Sequence, residues 1–334
     1  MNLYTRTLST VLFSATLAAT ALPAGQAEAS SSKHQPTKVE RLVFPVTLSD
    51  GNTYDVVGYL YYRGTYKHRP LQVLVHGLTY THEYWDIPSF RGRKYSYVEH
   101  MAKEGYAVLA LDVLGAGESS RPDGDFLDLA ETAESVHQVI TEMRTHGGVF
   151  KTPFRKIALV GHSNGAIIST YVQSTYNDAD VLVNTGFAFT PHPIPVSPEA
   201  ISALLQTPYI AIPTEIRTDI FYDAANADRA VIDFDNATIA DTYTRGQFLS
   251  LLAVSGNPSL AGIEGVTSPV LIQFGETDEL QPASYVNSDA ALYTSAESVT
   301  TAIVPHSGHI LNGHFGSPAG WQQIDCWIHH NMGW

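Results

Sequence analysis

The residues best suited to chemistry form a Gly-His-Ser-Asn-Gly sequence at residues 161–165. An apolar run precedes it and a helix-like segment comes directly after it, so the pattern predicts a strand, a sharp turn and a helix. Such a turn lifts the hydroxyl of Ser163 out of the chain, and the two glycines remove Cβ atoms where strand and helix pack closely. The serine then lies over a helix N-terminus, which favours a nearby anion. These features predict acyl transfer to a serine nucleophile.

A serine hydroxyl needs a base to remove its proton, and the base needs an acid to orient it. Candidates for both groups come later in the sequence. Three carboxylates share one turn after an apolar run: Glu276, Asp278 and Glu279. Two histidines, His306 and His309, share the loop after the next apolar run. The residues alone leave both choices open.

The sequence predicts strands and helices that alternate along most of the chain. These elements would position the serine, the candidate acids and the candidate histidines. That alternation predicts an α/β fold with a mostly parallel central sheet and helices on both faces. With 334 residues and 44% hydrophobic residues, the chain can bury a large core. The first two strands are typical of a hairpin. The predicted strands are 41–48, 53–62, 71–75, 107–111, 157–160, 181–189, 270–274 and 299–304, and the predicted helices are 90–105, 128–147, 283–293 and 321–329.

The alternation breaks between residues 190 and 267. This stretch, which we call the insert, begins with a cluster of prolines and continues with three helix-like pieces, at 200–205, 216–225 and 246–254. Long structureless loops are uncommon in compact domains. We therefore expect the insert to form a helical cap over the carboxyl edge of the sheet.

The N-terminus predicts a secretory signal peptide over residues 1–29. Arg6 gives a short basic region, an apolar run comes next, and an Ala-x-Ala site precedes Ser30. An N-terminal membrane anchor is the alternative. We expect residues 30–40 to be a flexible lead-in and residues 41–334 to be one domain containing the insert. No later stretch reaches the ~20 apolar residues of a spanning helix, so no stable membrane span is expected.

Composition limits the partners and cofactors. The net charge is −14 and no basic patch is visible, which argues against a nucleic-acid partner. The single Cys326 excludes an intramolecular disulfide, and we expect it to be buried in the last helix. The fourteen histidines show no metal-ligand spacing, so neither a catalytic metal nor a cofactor is expected. The sequence does not indicate an oligomeric state.

Taken in order, these motifs resemble those of the α/β-hydrolase superfamily, in particular esterase- or lipase-like serine hydrolases with a cap insert. The resemblance covers essentially all of the sequence after the leader. His76-Gly77 comes after the third strand, the Ser163 motif after the fifth, an acid turn after the next-to-last and Gly308-His309 after the last. Val113 stands where the family usually has Arg after Asp112, which departs from the pattern at a structural turn.

The resemblance implies a role for each group. Ser163 is the expected nucleophile, Asp278 the acid and His309 the base, with an acyl-enzyme intermediate. The backbone N–H groups of Leu78 and Asn164 are the expected oxyanion hole. The His-Gly-Gly-Gly form of many esterases is absent from the turn before Leu78.

The expected substrate is a small ester-type molecule. An aromatic segment after residue 78 suggests an apolar pocket that includes Tyr80 and Trp85, although these rings could equally pack the cap onto the core. A carboxylic ester or a lactone suits a secreted serine hydrolase, with amide or C–C bond cleavage as lesser versions. The alternative from another class is a non-catalytic binding protein with this fold.

Overall fold

The computed structural model describes residues 35–145, 152–194, 196 and 198–334. The predicted signal peptide and the first part of the predicted lead-in lie outside these residues. The lead-in also ends earlier than expected, because the first strand begins at Thr37 and pairs with its neighbour from that residue onward.

In the described residues eight strands form the central sheet, and two small two-stranded sheets add four more. The strands are β1 (Thr37–Thr47), β2 (Thr53–Arg63), β3 (Leu71–Val75), β4 (Asp86–Phe90), β5 (Arg93–Ser96), β6 (Ala107–Asp112), β7 (Ile157–His162), β8 (Val181–Thr185), β9 (Tyr209–Ile210), β10 (Tyr243–Thr244), β11 (Val270–Gly275) and β12 (Val299–Val304). The sheet order is β1-β2-β6-β3-β7-β8-β11-β12, antiparallel at β1, β2 and β6 and parallel from β6 onward. The predicted mostly parallel sheet is confirmed.

Helices cover both faces of this sheet, as the buried runs of the parallel strands require. The α-helices are α1 (Tyr97–Glu104), α2 (Leu129–Arg144), α3 (Asn164–Tyr176), α4 (Pro198–Gln206), α5 (Thr214–Phe221), α6 (Arg229–Phe234), α7 (Arg245–Gly256), α8 (Val286–Ala290) and α9 (Ser317–Met332). Side chains alternate along β3: Val73 belongs to the core formed with α2 and α3, whereas Leu74 belongs to the core formed with α1 and α9. The sheet therefore separates two apolar cores.

Other differences from the sequence predictions concern one helix, one strand and the cysteine. The stretch predicted as one helix from residue 90 is a hairpin, β4–β5, followed by α1, because Arg91 and Gly92 turn the chain with positive φ and Ser96 caps the helix. Strand β8 is shorter than predicted because Gly186, with φ +61°, ends it. Cys326 is exposed on α9 rather than buried.

The described residues of the insert contain four α-helices, α4 to α7, and the small two-stranded β9–β10 sheet. The three helix-like pieces of the sequence correspond to α4, α5 and α7, whereas α6 was not predicted. Asp241 N–H donates to the carbonyl of Thr79, and Gly246 N–H donates to that of Gly124, so the insert is hydrogen-bonded to loops that come after sheet strands. In the described part of the chain no helix is both long and apolar enough to cross a membrane.

Candidate active site

Ser163 lies in a strained turn between β7 and α3. Its φ of +53° and ψ of −121° are unusual for a residue with a side chain, and they fit the predicted nucleophile turn. A Cβ on Gly161 would come within 2.3 Å of the Gly165 carbonyl oxygen, and one on Gly165 within 2.1 Å of the Val75 carbonyl oxygen. Both positions therefore require glycine.

The structure brings Ser163, His309 and Asp278 together in one hydrogen-bonded chain. His309 Nε2 lies 3.1 Å from Ser163 Oγ, and His309 Nδ1 lies 2.9 Å from Asp278 Oδ2. A carboxylate accepts only, so Nδ1 carries the proton and Nε2 is free to accept one from the serine. His309 and Asp278 are both buried, at 2% and 4% exposure, which limits competition from water.

In the turn after β11 the three candidate acids have different surroundings. Asp278 Oδ1 accepts hydrogen bonds from the backbone N–H groups of Leu280 and Gln281, at 3.0 and 2.8 Å, which fixes the carboxylate towards the imidazole. Glu276 instead accepts from the backbone N–H of His306 at 2.8 Å. Glu279 is exposed. Of the three acids, Asp278 is the one hydrogen-bonded to His309, and His306 contributes its backbone to the loop.

The loop of residues 76–81, which we call the β3 loop, lies beside the nucleophile. A Cβ on Gly77 would come within 2.9 Å of Ser163 Cβ, so the backbone can approach the serine this closely only with glycine here. His76 holds the loop, because its Nδ1 lies 2.8 Å from the Gly77 carbonyl and its Nε2 accepts the Val113 N–H at 3.1 Å. Burial lowers the pKa of His76, which keeps the imidazole neutral for both bonds. This placement suits an oxyanion-hole role for Leu78.

Asn164, the other predicted oxyanion residue, is the first residue of α3 and is buried. It comes directly after the nucleophile at the helix N-terminus, where backbone N–H groups lack partners within the helix. Leu78 thus belongs to the β3 loop and Asn164 to the N-terminus of α3, two segments that lie on either side of Ser163.

His162, the neighbour of the nucleophile, packs rather than titrates. Its ring stacks on Tyr84 with centroids 4.5 Å apart, and it lies 5.1 Å from the ring of His309. Burial, with a smaller contribution from the nearby His309, holds the pKa of His162 well below its usual value. A neutral ring at this position adds no positive charge beside the base.

A cavity of about 500 Å³ opens onto Ser163 and His309. Among the described residues, no Asp, Glu, Lys or Arg side chain lines it. Most of its wall is apolar and comes from the insert: Ile194, Val196, Ile210, Ala211, Ile212, Pro213, Ile216, Ile220, Phe221, Tyr243, Phe248 and Leu251. Such a size and lining are typical of a small-molecule site.

Of the two aromatic residues predicted for the pocket, one lines the cavity and the other does not. Tyr80 lines the cavity, as expected. Trp85 does not: it is buried in the core behind the cavity, where it packs edge-on against Tyr84 at 4.8 Å and against Tyr97 at 5.3 Å. The short 3-10 helix His82–Trp85 turns the chain away from the cavity after Tyr80, so the later aromatic residue packs into the core.

Sequence reasoning missed two groups near the site. Gln281 lines the cavity, and its side-chain oxygen accepts the Ala188 N–H at 2.8 Å, which joins the acid turn to the segment just before the insert. A buried ion pair, Arg217 with Asp235, lies in the insert behind Tyr80. Neither belongs to a motif, because their partners are distant in sequence. Among the described residues no group of three metal-binding side chains is close enough to hold an ion.

Comparisons with known proteins bear on the fold. A family model described as the alpha/beta hydrolase family matches residues 72–321. A search of curated proteins found no match. Solved structures with the same fold include an esterase from Thermogutta terrifontis, with 17% identity, a TM-score of 0.65, and 87% of this chain and 99% of that chain covered.

Two further structures are comparable. A hydrolase from Pseudomonas aeruginosa has 20% identity and a TM-score of 0.62, covering 87% of this chain and 98% of its own. An esterase from Exiguobacterium antarcticum has 17% identity and a TM-score of 0.62, covering 86% of this chain and 99% of its own. At these identities the likeness establishes the fold. Because the family model spans most of the chain and the sheet has the matching architecture, this protein belongs to the α/β-hydrolase family.

Proposed function

We propose that this hydrolase is a serine esterase that cleaves uncharged carboxylic esters, lactones included, through an acyl-enzyme. The observation that carries the proposal is the hydrogen-bonded chain from Ser163 Oγ through His309 to Asp278, which opens onto an apolar cavity. A nucleophile, a base and an orienting acid within hydrogen-bond distance are the groups that acyl transfer requires.

In the first half-reaction Ser163 Oγ attacks the ester carbonyl while His309 Nε2 takes the serine proton. Asp278 holds the imidazole in the tautomer that accepts this proton and stabilises the imidazolium that forms. The tetrahedral oxyanion lies against the N–H groups of Leu78 and Asn164. His309 then returns the proton to the leaving alkoxide, and the alcohol departs.

In the second half-reaction a water molecule attacks the acyl-serine. His309 takes a proton from the water, the same two N–H groups stabilise the new oxyanion, and the proton returns to Ser163 as the acid leaves. Among the described residues His309 is the one imidazole hydrogen-bonded to Ser163, and the neutral ring of His162 adds no positive charge beside it.

The cavity defines the substrate class. Its apolar wall favours an alkyl or aryl acyl group. No Asp, Glu, Lys or Arg side chain is among its described lining residues, so a charged substrate finds no ion-pair partner there. A panel of p-nitrophenyl esters, matched lactones and anilides tests this. We expect turnover of neutral esters with medium or aromatic acyl groups, weak turnover of esters bearing a carboxylate, and little amide cleavage. Absence of hydrolysis of every ester and lactone would contradict the proposal.

We also propose that the protein is exported, because residues 1–29 combine a basic start, an apolar run and an Ala-x-Ala site. N-terminal sequencing of protein recovered from the medium or the cell envelope should begin at or near Ser30. Cytosolic protein that retains Met1 would contradict export without affecting the catalytic proposal.

A further inference from the structure

A buried arginine from the insert contacts the β3 loop. Arg217 lies on α5 and is 2% exposed. Its Nη1 donates to Thr79 Oγ1 and, at 3.3 Å, to the Thr79 carbonyl oxygen. Its Nη2 donates to Asp235 Oδ1 at 2.6 Å. A guanidinium presents donors in a planar fork, so fixing one side on Asp235 aims the other at Thr79.

The carboxylate of Asp235 is itself fixed. Its Oδ2 accepts hydrogen bonds from the hydroxyls of Tyr80 and Tyr222, each at 2.7 Å. Burial raises the pKa of both tyrosines well above their usual value, so both remain donors. The guanidinium also lies 4.7 Å from the ring centre of Tyr80. The ion pair therefore has one orientation, and its bonds reach both the β3 loop and the cavity wall.

Stability alone does not account for this arrangement. Removing two charges from water is costly, and apolar residues of similar volume often replace a buried ion pair without loss of stability. In some proteins a buried polar or ionic group instead selects one conformation among several. The conformation that Arg217 contacts is unusual, because Thr79 has a φ of +68°.

A positive φ is rare for a β-branched residue and persists only where the surroundings hold it. Thr79 is held from the insert: its carbonyl accepts the Asp241 N–H at 2.8 Å in addition to the bond from Arg217. Leu78 directly precedes Thr79. Relaxation of the Thr79 backbone would therefore turn the adjoining peptides and move the Leu78 N–H relative to Ser163.

We propose that Arg217, fixed by Asp235, is a positioning residue that keeps Thr79 in its left-handed conformation and so aims the Leu78 N–H at the oxyanion. The inference rests on the proposed esterase function. It assigns the insert a second task besides forming the cavity wall, since α5 supplies the group that holds the oxyanion-side loop.

The test compares Arg217→Met, Arg217→Lys and Thr79→Val with a matched control, Arg229→Met. Arg229 lies in the same insert in an exposed ion pair with Asp233. On a neutral ester we expect kcat of Arg217→Met to fall about 10- to 100-fold, below the loss for complete removal of an oxyanion donor, with KM changed by less than about 2-fold. Arg217→Lys should retain part of the rate, Thr79→Val should show a smaller loss, and the control should match the wild type.

Hydrogen–deuterium exchange separates this inference from the proposed function. Backbone amides of residues 76–81 should exchange faster in Arg217→Met and Thr79→Val than in the wild type and the control. Unchanged exchange in the folded variants would overturn the inference even if the wild type hydrolyses esters, as would a raised KM with kcat intact. If Arg217→Met does not fold, Thr79→Val decides. If the wild type hydrolyses no ester, the proposed function fails while exchange still tests the holding of the loop.

Discussion

At the scale of single residues, the hydrogen-bond partners decide roles that residue type leaves open. Three carboxylates come after β11 within four residues, and only the fold shows which of them lies against His309. The family pattern already favoured Asp278, because its spacing from the strand matches the usual acid turn. The sequence could not show that two backbone N–H groups fix its other oxygen.

Asp278→Asn should keep the fold, since the amide oxygen can still accept the backbone N–H bonds, while kcat falls by about 10³-fold or more because the imidazole loses its orienting acceptor. Glu279→Gln is the matched control on the same turn and should behave as the wild type. Steady-state kinetics on one ester measures both. A mild effect of Asp278→Asn, or a severe effect of Glu276→Gln in its place, would show that the acid has been assigned wrongly.

At the scale of elements, the strands and helices whose form depends on a local apolar pattern or on a glycine were predicted from the sequence. Strand β7, the turn at Ser163 and helix α3 result from apolar runs and two glycines that the packing requires. The β4–β5 hairpin and α6 were missed because their apolar residues pack against distant segments. The prediction that Trp85 lines the pocket was wrong for the same reason. Its closeness in sequence to the β3 loop does not show whether its ring points into the cavity or into the core.

The insert forms most of the cavity wall, so single residues there should change which acyl chains fit. Phe248 is the cleaner test, because its ring faces the cavity beside Tyr243, whereas Phe221 also stacks on the ring of His309 at 5.4 Å. Phe248→Ala should move the kcat/KM optimum towards longer or bulkier acyl chains, since it enlarges the cavity.

The matched control for Phe248→Ala is Leu249→Ala, the next residue of α7, which is 52% exposed. A series of p-nitrophenyl esters of increasing acyl length measures both variants. If Phe248→Ala and Leu249→Ala leave every kcat/KM ratio unchanged, the insert does not select the acyl group.

At the scale of the whole molecule, buried histidines link stability to pH. Burial lowers the pKa of His76, His162 and His314, which are all inside the folded chain. An unperturbed histidine titrates near ~6.5, so the unfolded chain takes up these protons first as the pH falls. The buried neutral histidines contribute fully to the free energy of unfolding above about pH 6.5. This contribution is lost as the pH falls towards the pKa that each histidine has in the folded chain.

We therefore expect Tm to fall on acidification from about pH 7 to about pH 5, as the unfolded histidines charge. Burial also raises the pKa of Asp86 and Asp289, which acts in the opposite direction at lower pH. His162→Phe tests the histidine contribution, because it removes one ring that is held neutral in the folded chain and takes up a proton in the unfolded chain. It also keeps an aromatic ring to stack on Tyr84. Its Tm should depend less on pH than that of the wild type. Equal slopes would contradict this account.

The central claim is that Ser163 is a nucleophile activated by His309 and Asp278. Labelling with a fluorophosphonate, followed by mass spectrometry of the intact chain and its peptides, tests it most directly. The account predicts one label per chain on Ser163, no label in Ser163→Ala, and labelling of Asp278→Asn slowed by orders of magnitude. A wild-type protein that stays unlabelled while folded, or a label on another serine that persists in Ser163→Ala, would contradict it.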